Sequence, residues 1–176
     1  MASPARVSVP VDAPPPASLP TTQFYQEGMV AGALGALTIA LWFLVVDSLA
    51  GRPLWTPTVL GTALFRGGAG LDSPETLAVS LEMVLMFTWV HVLVFVGLGG
   101  IAARLLAYAE RHPSSGFGVL LLFVVFQFGF IVTATVFVAP VLRVLSSWSV
   151  LVANLLAAAA MAAYFRWRHP DLRVRP

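Results

Sequence analysis

His91 is the residue with most chemical promise. It stands inside an uncharged stretch, residues 83–103, bounded by Glu82 and Arg104. An ionisable ring in such a stretch is costly and marks a functional position by default. It could serve as an axial ligand for haem or chlorin, relay protons, or sit as a neutral, hydrogen-bonded core residue, which is the commonest outcome. Bis-histidine ligation needs a second imidazole. His112 and His169 fall outside the apolar stretches, so a partner chain would have to supply it. Three further polar residues belong with His91. Counted from the end of the chain's apolar stretches that holds both termini, at about 1.5 Å per residue, Thr38 and Gln127 lie about 15 Å deep, Asn154 about 18 Å and His91 about 20 Å. Polar groups at such depth require partners. The expectation is one shared polar layer, Thr38, His91, Gln127 and Asn154, in which His91 meets at least one of the others. The alternative is that each bonds a nearby carbonyl or water separately.

A second cluster lies nearer the opposite end. Asp47 and Glu82 are expected to pair with Arg52, Arg66 or Arg143 in an ion network, with a cation or proton entry site as the alternative. Glu82 and His91 are nine residues apart, which places them on opposite faces of a helix. Met83 and Met86 are soft enough for copper(I), but at this spacing they read as packing. There is no cysteine, which excludes thiolate metal sites and thiol nucleophiles. No Walker loop, HExxH or GxSxG occurs.

The elements that hold these residues follow from the apolar runs. The chain has 176 residues, 59% hydrophobic and 10% charged, with mean hydropathy +0.88. Soluble domains are about one-quarter charged, so a free-standing water-soluble globule is excluded. Uncharged stretches predict an all-α fold, a bundle of four transmembrane helices with spans of about 28–49, 77–103, 117–139 and 148–166. Ser73-Pro74-Glu75 reads as the start signal of the second helix. Residues 1–22, with six prolines, read as a disordered arm. Residues 23–168 form the membrane domain and 169–176 a tail. In the first loop, Thr56-Pro57 predicts a short interfacial helix over 57–65, with Val59, Leu60, Ala63 and Leu64 on its apolar stripe. Gly28, Gly32 and Ala36 make a small-residue stripe on the first span, and Gly99 and Ala103 one on the second. The two are positioned to let those helices approach closely.

All ten basic residues are arginines and the net charge is +2, too weak a balance for nucleic-acid binding. Seven arginines fall on the side of both termini and three on the other, so the positive-inside rule puts both termini in the cytoplasm. GRPLWTPTVLG, with VHVLVFVGLGG and ERHP, resembles a group of small uncharacterised bacterial four-span integral membrane proteins over roughly residues 28–130. The resemblance implies four spans and a link between the outer loop and His91, and it brings no activity. The functional expectation is an integral protein of a bacterial inner membrane without catalytic activity of its own. Small size, the proline-rich arm and the outer loop point to an accessory or assembly subunit of a larger respiratory or photosynthetic complex. The partners would be the lipid bilayer and other membrane subunits. The alternatives are a haem- or pigment-binding electron-transfer protein using His91, and a proton-coupled transporter using His91, Glu82 and Asp47.

Overall fold

A computed structural model describes residues 21–111 and 146–169, with the isolated positions 124, 128 and 129. Among the described residues the protein is all-helical. Its helices are α1 (Thr21–Leu49), α2 (Trp55–Phe65), α3 (Leu81–Arg111) and α4 (Ser147–Arg168), with one 3-10 turn at Pro74–Thr76. Among the described residues three segments are long and apolar enough to cross a membrane: Tyr25–Leu49, Leu81–Leu105 and Trp148–Arg168. Only 22%, 17% and 39% of their most apolar windows are buried within the protein. A water-soluble bundle would hide such surface, so these helices belong in lipid. The expected third span, 117–139, lies outside the described residues apart from positions 124, 128 and 129.

α1 runs antiparallel to α3 and α4. Gly28 lies against Gly99, and Gly32 against Phe95 and Val96. A Cβ on Gly28 would fall 2.7 Å from the Gly99 carbonyl oxygen, so only glycine permits this approach. The row advances four residues at a time on each helix, which is how ridges interdigitate. α4 closes the other side of α1. Ala31, Ala36, Ala157, Ala158, Met161 and Phe95 share one buried cluster there. Trp42 donates its indole N–H to the Ser149 carbonyl at 3.1 Å. At the far end, the Glu27 carboxylate binds the Arg168 guanidinium at 2.9 Å and the His169 ring at 2.8 Å. The start of α1 therefore meets the end of α4.

α1 ends in a Schellman motif. Gly51, at φ +71°, donates to the Ser48 carbonyl, and Arg52 donates to the Asp47 carbonyl. A left-handed residue at that position suits glycine. α2 then packs on the first turn of α3, where Gly61 meets the Met83 backbone. Trp55, Val59, Ala63 and Leu71 form a small core with Val150 of α4. α2 thus covers one end of the bundle.

Two expectations need correcting here. The second long helix does not begin at Ser73-Pro74-Glu75. That triplet makes a single 3-10 turn, and Leu77 is extended with ψ 116°. The helix starts at Leu81, capped by Ser80, whose hydroxyl accepts the Met83 N–H at 3.4 Å. Nor is the α2 stripe purely aliphatic: Thr56, Thr58 and Thr62 are buried on it. Threonine can hide its hydroxyl by bonding nearby polar groups, as Thr58 does with the Leu54 carbonyl at 2.8 Å.

Candidate functional site

Two places hold the residues singled out by the sequence. The first is His91, on α3, four residues before Phe95 in the row that meets α1. Its Nε2 lies 3.3 Å from the Ala36 carbonyl oxygen of α1. Its ring is stacked near Phe87, with centroids 5.6 Å apart, and tilted against Phe95 at 4.7 Å. The glycine contacts explain this reach. They bring two helix backbones close enough for a side chain on one to touch a carbonyl of the other. Nε2 acts as the donor in this pair, so the ring is neutral with its proton there, or charged.

The other polar residues of the expected layer are placed as follows. Thr38 donates to the Leu34 carbonyl of its own helix at 2.8 Å, a common use of threonine in apolar helices. Asn154 is buried on α4, and Gln127 lies outside the described residues. Thr38 and His91 thus each bond a backbone carbonyl. Helix carbonyls are the nearest acceptors in an apolar bundle.

The second place is the α2 end. Leu54 precedes α2 and cannot cap it, and it sits at φ 66°. A left-handed, non-glycine residue is strained by about 1–2 kcal/mol. The cap comes from α1 instead. Asp47 accepts the Thr56 backbone N–H at 2.7 Å on one oxygen and the Thr56 hydroxyl at 2.7 Å on the other. This anion rests where the α2 dipole is positive. α2 begins two residues before the expected start at Pro57, and Pro57 sits within the first turn, where its missing N–H leaves nothing unsatisfied.

Asp47 is 4% exposed, and its carboxylate binds Thr56 instead of an arginine. Arg52 lies over the Trp55 ring, 4.2 Å from its centroid. The Trp55 indole donates to the Pro74 carbonyl at 3.0 Å. Arg66 and Glu82 pair at 2.9 Å on the exposed surface, while Arg143 lies outside the described residues. Among the described residues the expected ion network thus shows one surface pair, Arg66 with Glu82, while Asp47 serves as a helix cap. Asp47, Arg52, Trp55, Thr56, Ser146 and Ser149 line a cavity of about 140 Å³ between α1, α2 and the start of α4.

Three participants escaped the sequence reading: Thr56 as the partner of Asp47, and Ser146 and Ser149 as cavity walls. Thr56 was visible as a hydroxyl beside a proline. The serines had no local signal, since only folding brings residues so distant in sequence beside Asp47. The chain matches no protein-family model, no curated protein and no solved structure.

Proposed function

We propose that this chain is a four-span accessory or assembly subunit of a larger complex in a bacterial inner membrane, respiratory or photosynthetic, with both termini in the cytoplasm. The observation that carries the reading is how its polar side chains are used. His91 binds Ala36, Asp47 binds Thr56, and Glu27 binds Arg168 and His169. Each bond fixes one helix to another, so the polar groups build a rigid frame. Large side chains such as Trp89, Trp148 and Leu85 turn outward, each about two-thirds exposed or more. A frame of this kind offers surface to lipid and to neighbouring subunits. The fourth crossing is supported by the direction of the chain. α3 ends at the Glu27 end of the bundle and α4 starts at the α2 end, the arrangement that a crossing between them calls for.

The test is native electrophoresis of membranes solubilised in mild detergent. The chain should migrate within a larger assembly whose other subunits recur across preparations. Migration as an isolated 18.8 kDa chain with its detergent belt would refute the proposal.

A further inference from the structure

The cavity at the α2 end is lined by two opposite charges that do not pair with each other. Asp47 is buried, and both its oxygens are turned to Thr56. A carboxylate has about four acceptor sites, so two remain. Among the described residues no cation lies within ion-pair distance of it. Arg52 lines the same space, and its guanidinium rests on Trp55 without a carboxylate partner among the described residues. Its five N–H donors are available. Ser146 caps α4 without using its side chain. The first N–H groups of α4 have no intrahelical acceptor, so the wall near Ser146 and Ser149 adds positive potential beside Arg52.

The complement of such a lining is a small molecule that carries both signs. The space is about 140 Å³ and is bordered by the exposed Arg52, so a compact charged group can enter it from the surface. We propose that this cavity binds a zwitterion of the phosphoethanolamine type. Its ammonium takes the free acceptor sites of Asp47, and its phosphate takes Arg52 and the N-terminus of α4, as phosphates do at helix starts. The strained Leu54 fits this role, because it sets Trp55 and Thr56 at the cavity wall at a cost in backbone energy. The same chemistry can arrive as a free solute or as the headgroup of phosphatidylethanolamine.

The test uses the full chain in detergent and in lipid nanodiscs. In detergent, O-phosphoethanolamine is titrated by calorimetry, with inorganic phosphate as the comparison. In nanodiscs, native mass spectrometry counts the lipid retained from mixtures of phosphatidylethanolamine and phosphatidylglycerol. The expected result is saturable binding of O-phosphoethanolamine, or retention of one phosphatidylethanolamine. Binding in the first arm identifies a free solute as sufficient. Retention in the second arm alone identifies the lipid headgroup. R52Q should weaken the observed binding by at least about tenfold, the worth of one charged hydrogen-bonded contact. Arg52 is exposed, so this variant keeps its fold, which circular dichroism verifies. D47N should erase the preference for O-phosphoethanolamine over phosphate. The proposal is overturned by no binding in either arm, by binding that R52Q leaves intact, or by phosphate binding as tightly as O-phosphoethanolamine to the unmodified chain.

Discussion

Replacing Gly32 by alanine adds one methyl group at the place where α1 and α3 touch. That methyl carbon would sit 2.7 Å from the Phe95 carbonyl carbon and 2.8 Å from the Val96 Cα. Carbon atoms rest at about 3.5–4.0 Å, so the helices must part by about 1 Å. A gap of that size forfeits up to about half the dispersion energy of each contact that it opens. The His91 bond lies four residues farther along the row and is already 3.3 Å long. An added ångström takes it beyond hydrogen-bonding range. Overpacking costs about 1–3 kcal/mol, and a bond between membrane helices adds about 0.6 kcal/mol. Gly32→Ala should therefore destabilise the protein by about 2–3 kcal/mol. Gly97 supplies the control, because a Cβ there meets nothing within 4 Å. Gly97→Ala should not destabilise the protein, because alanine is favoured over glycine within a helix by about 0.5–1 kcal/mol. Reversible unfolding in mixed detergent micelles, titrated with dodecyl sulfate, measures both. The close-packing argument fails if Gly32→Ala unfolds with the unmodified protein, or if Gly97→Ala is equally damaging.

Asp47→Ala removes the cap of α2 and should cost about 1–3 kcal/mol. Hydrogen exchange should rise across residues 55–65 and stay unchanged in the middle of α1. Arg66→Gln breaks an exposed ion pair and should shift stability by no more than about 1 kcal/mol, read from the same unfolding titration at low salt. His91→Phe keeps an aromatic ring between Phe87 and Phe95 and loses the bond to Ala36. It should cost about 1 kcal/mol and leave the visible absorption of the purified protein unchanged; bleaching of a visible band would instead assign a pigment to His91. Single cysteines placed at Ser73 and at Trp167, in a chain that has no native cysteine, should react with impermeant reagents from opposite sides of the membrane.

The long helices were legible because charge is scarce and its positions punctuate the chain. Asp47 closes one uncharged run, and Glu82 and Arg104 bound another. The small-residue stripes were legible too, since Gly28, Gly32 and Gly99 recur at the spacing of a helix face. The start of α3 was not legible, because Ser73 and Ser80 offer similar capping chemistry. The choice between them is made by tertiary contact: the Ser80 N–H finds the Thr58 hydroxyl at 3.3 Å, and Pro74 is held by Trp55. The pairing of His91 with Ala36 was hidden for a similar reason. Side-chain types announce a need for partners, but a backbone carbonyl has no letter in the sequence. Asp47 and Thr56 are only nine residues apart, yet their bond depends on the turn at Gly51 and the left-handed Leu54 between them.

The glycine row has a mechanical consequence. It sets the register of α1 against α3. Slide α3 by one turn, about 5.4 Å, so that Phe95 faces Ala36, and the alanine methyl group fills the space that Gly32 leaves empty. The middle of the pair therefore resists slipping, and contacts at the tips hold the ends: Tyr25 with Arg104 and Glu27 with Arg168 at one end, Asp47 with Thr56 and Thr58 with Ser80 at the other. Loosening both tips together should fray the ends while the two backbones stay locked in one setting at their centre.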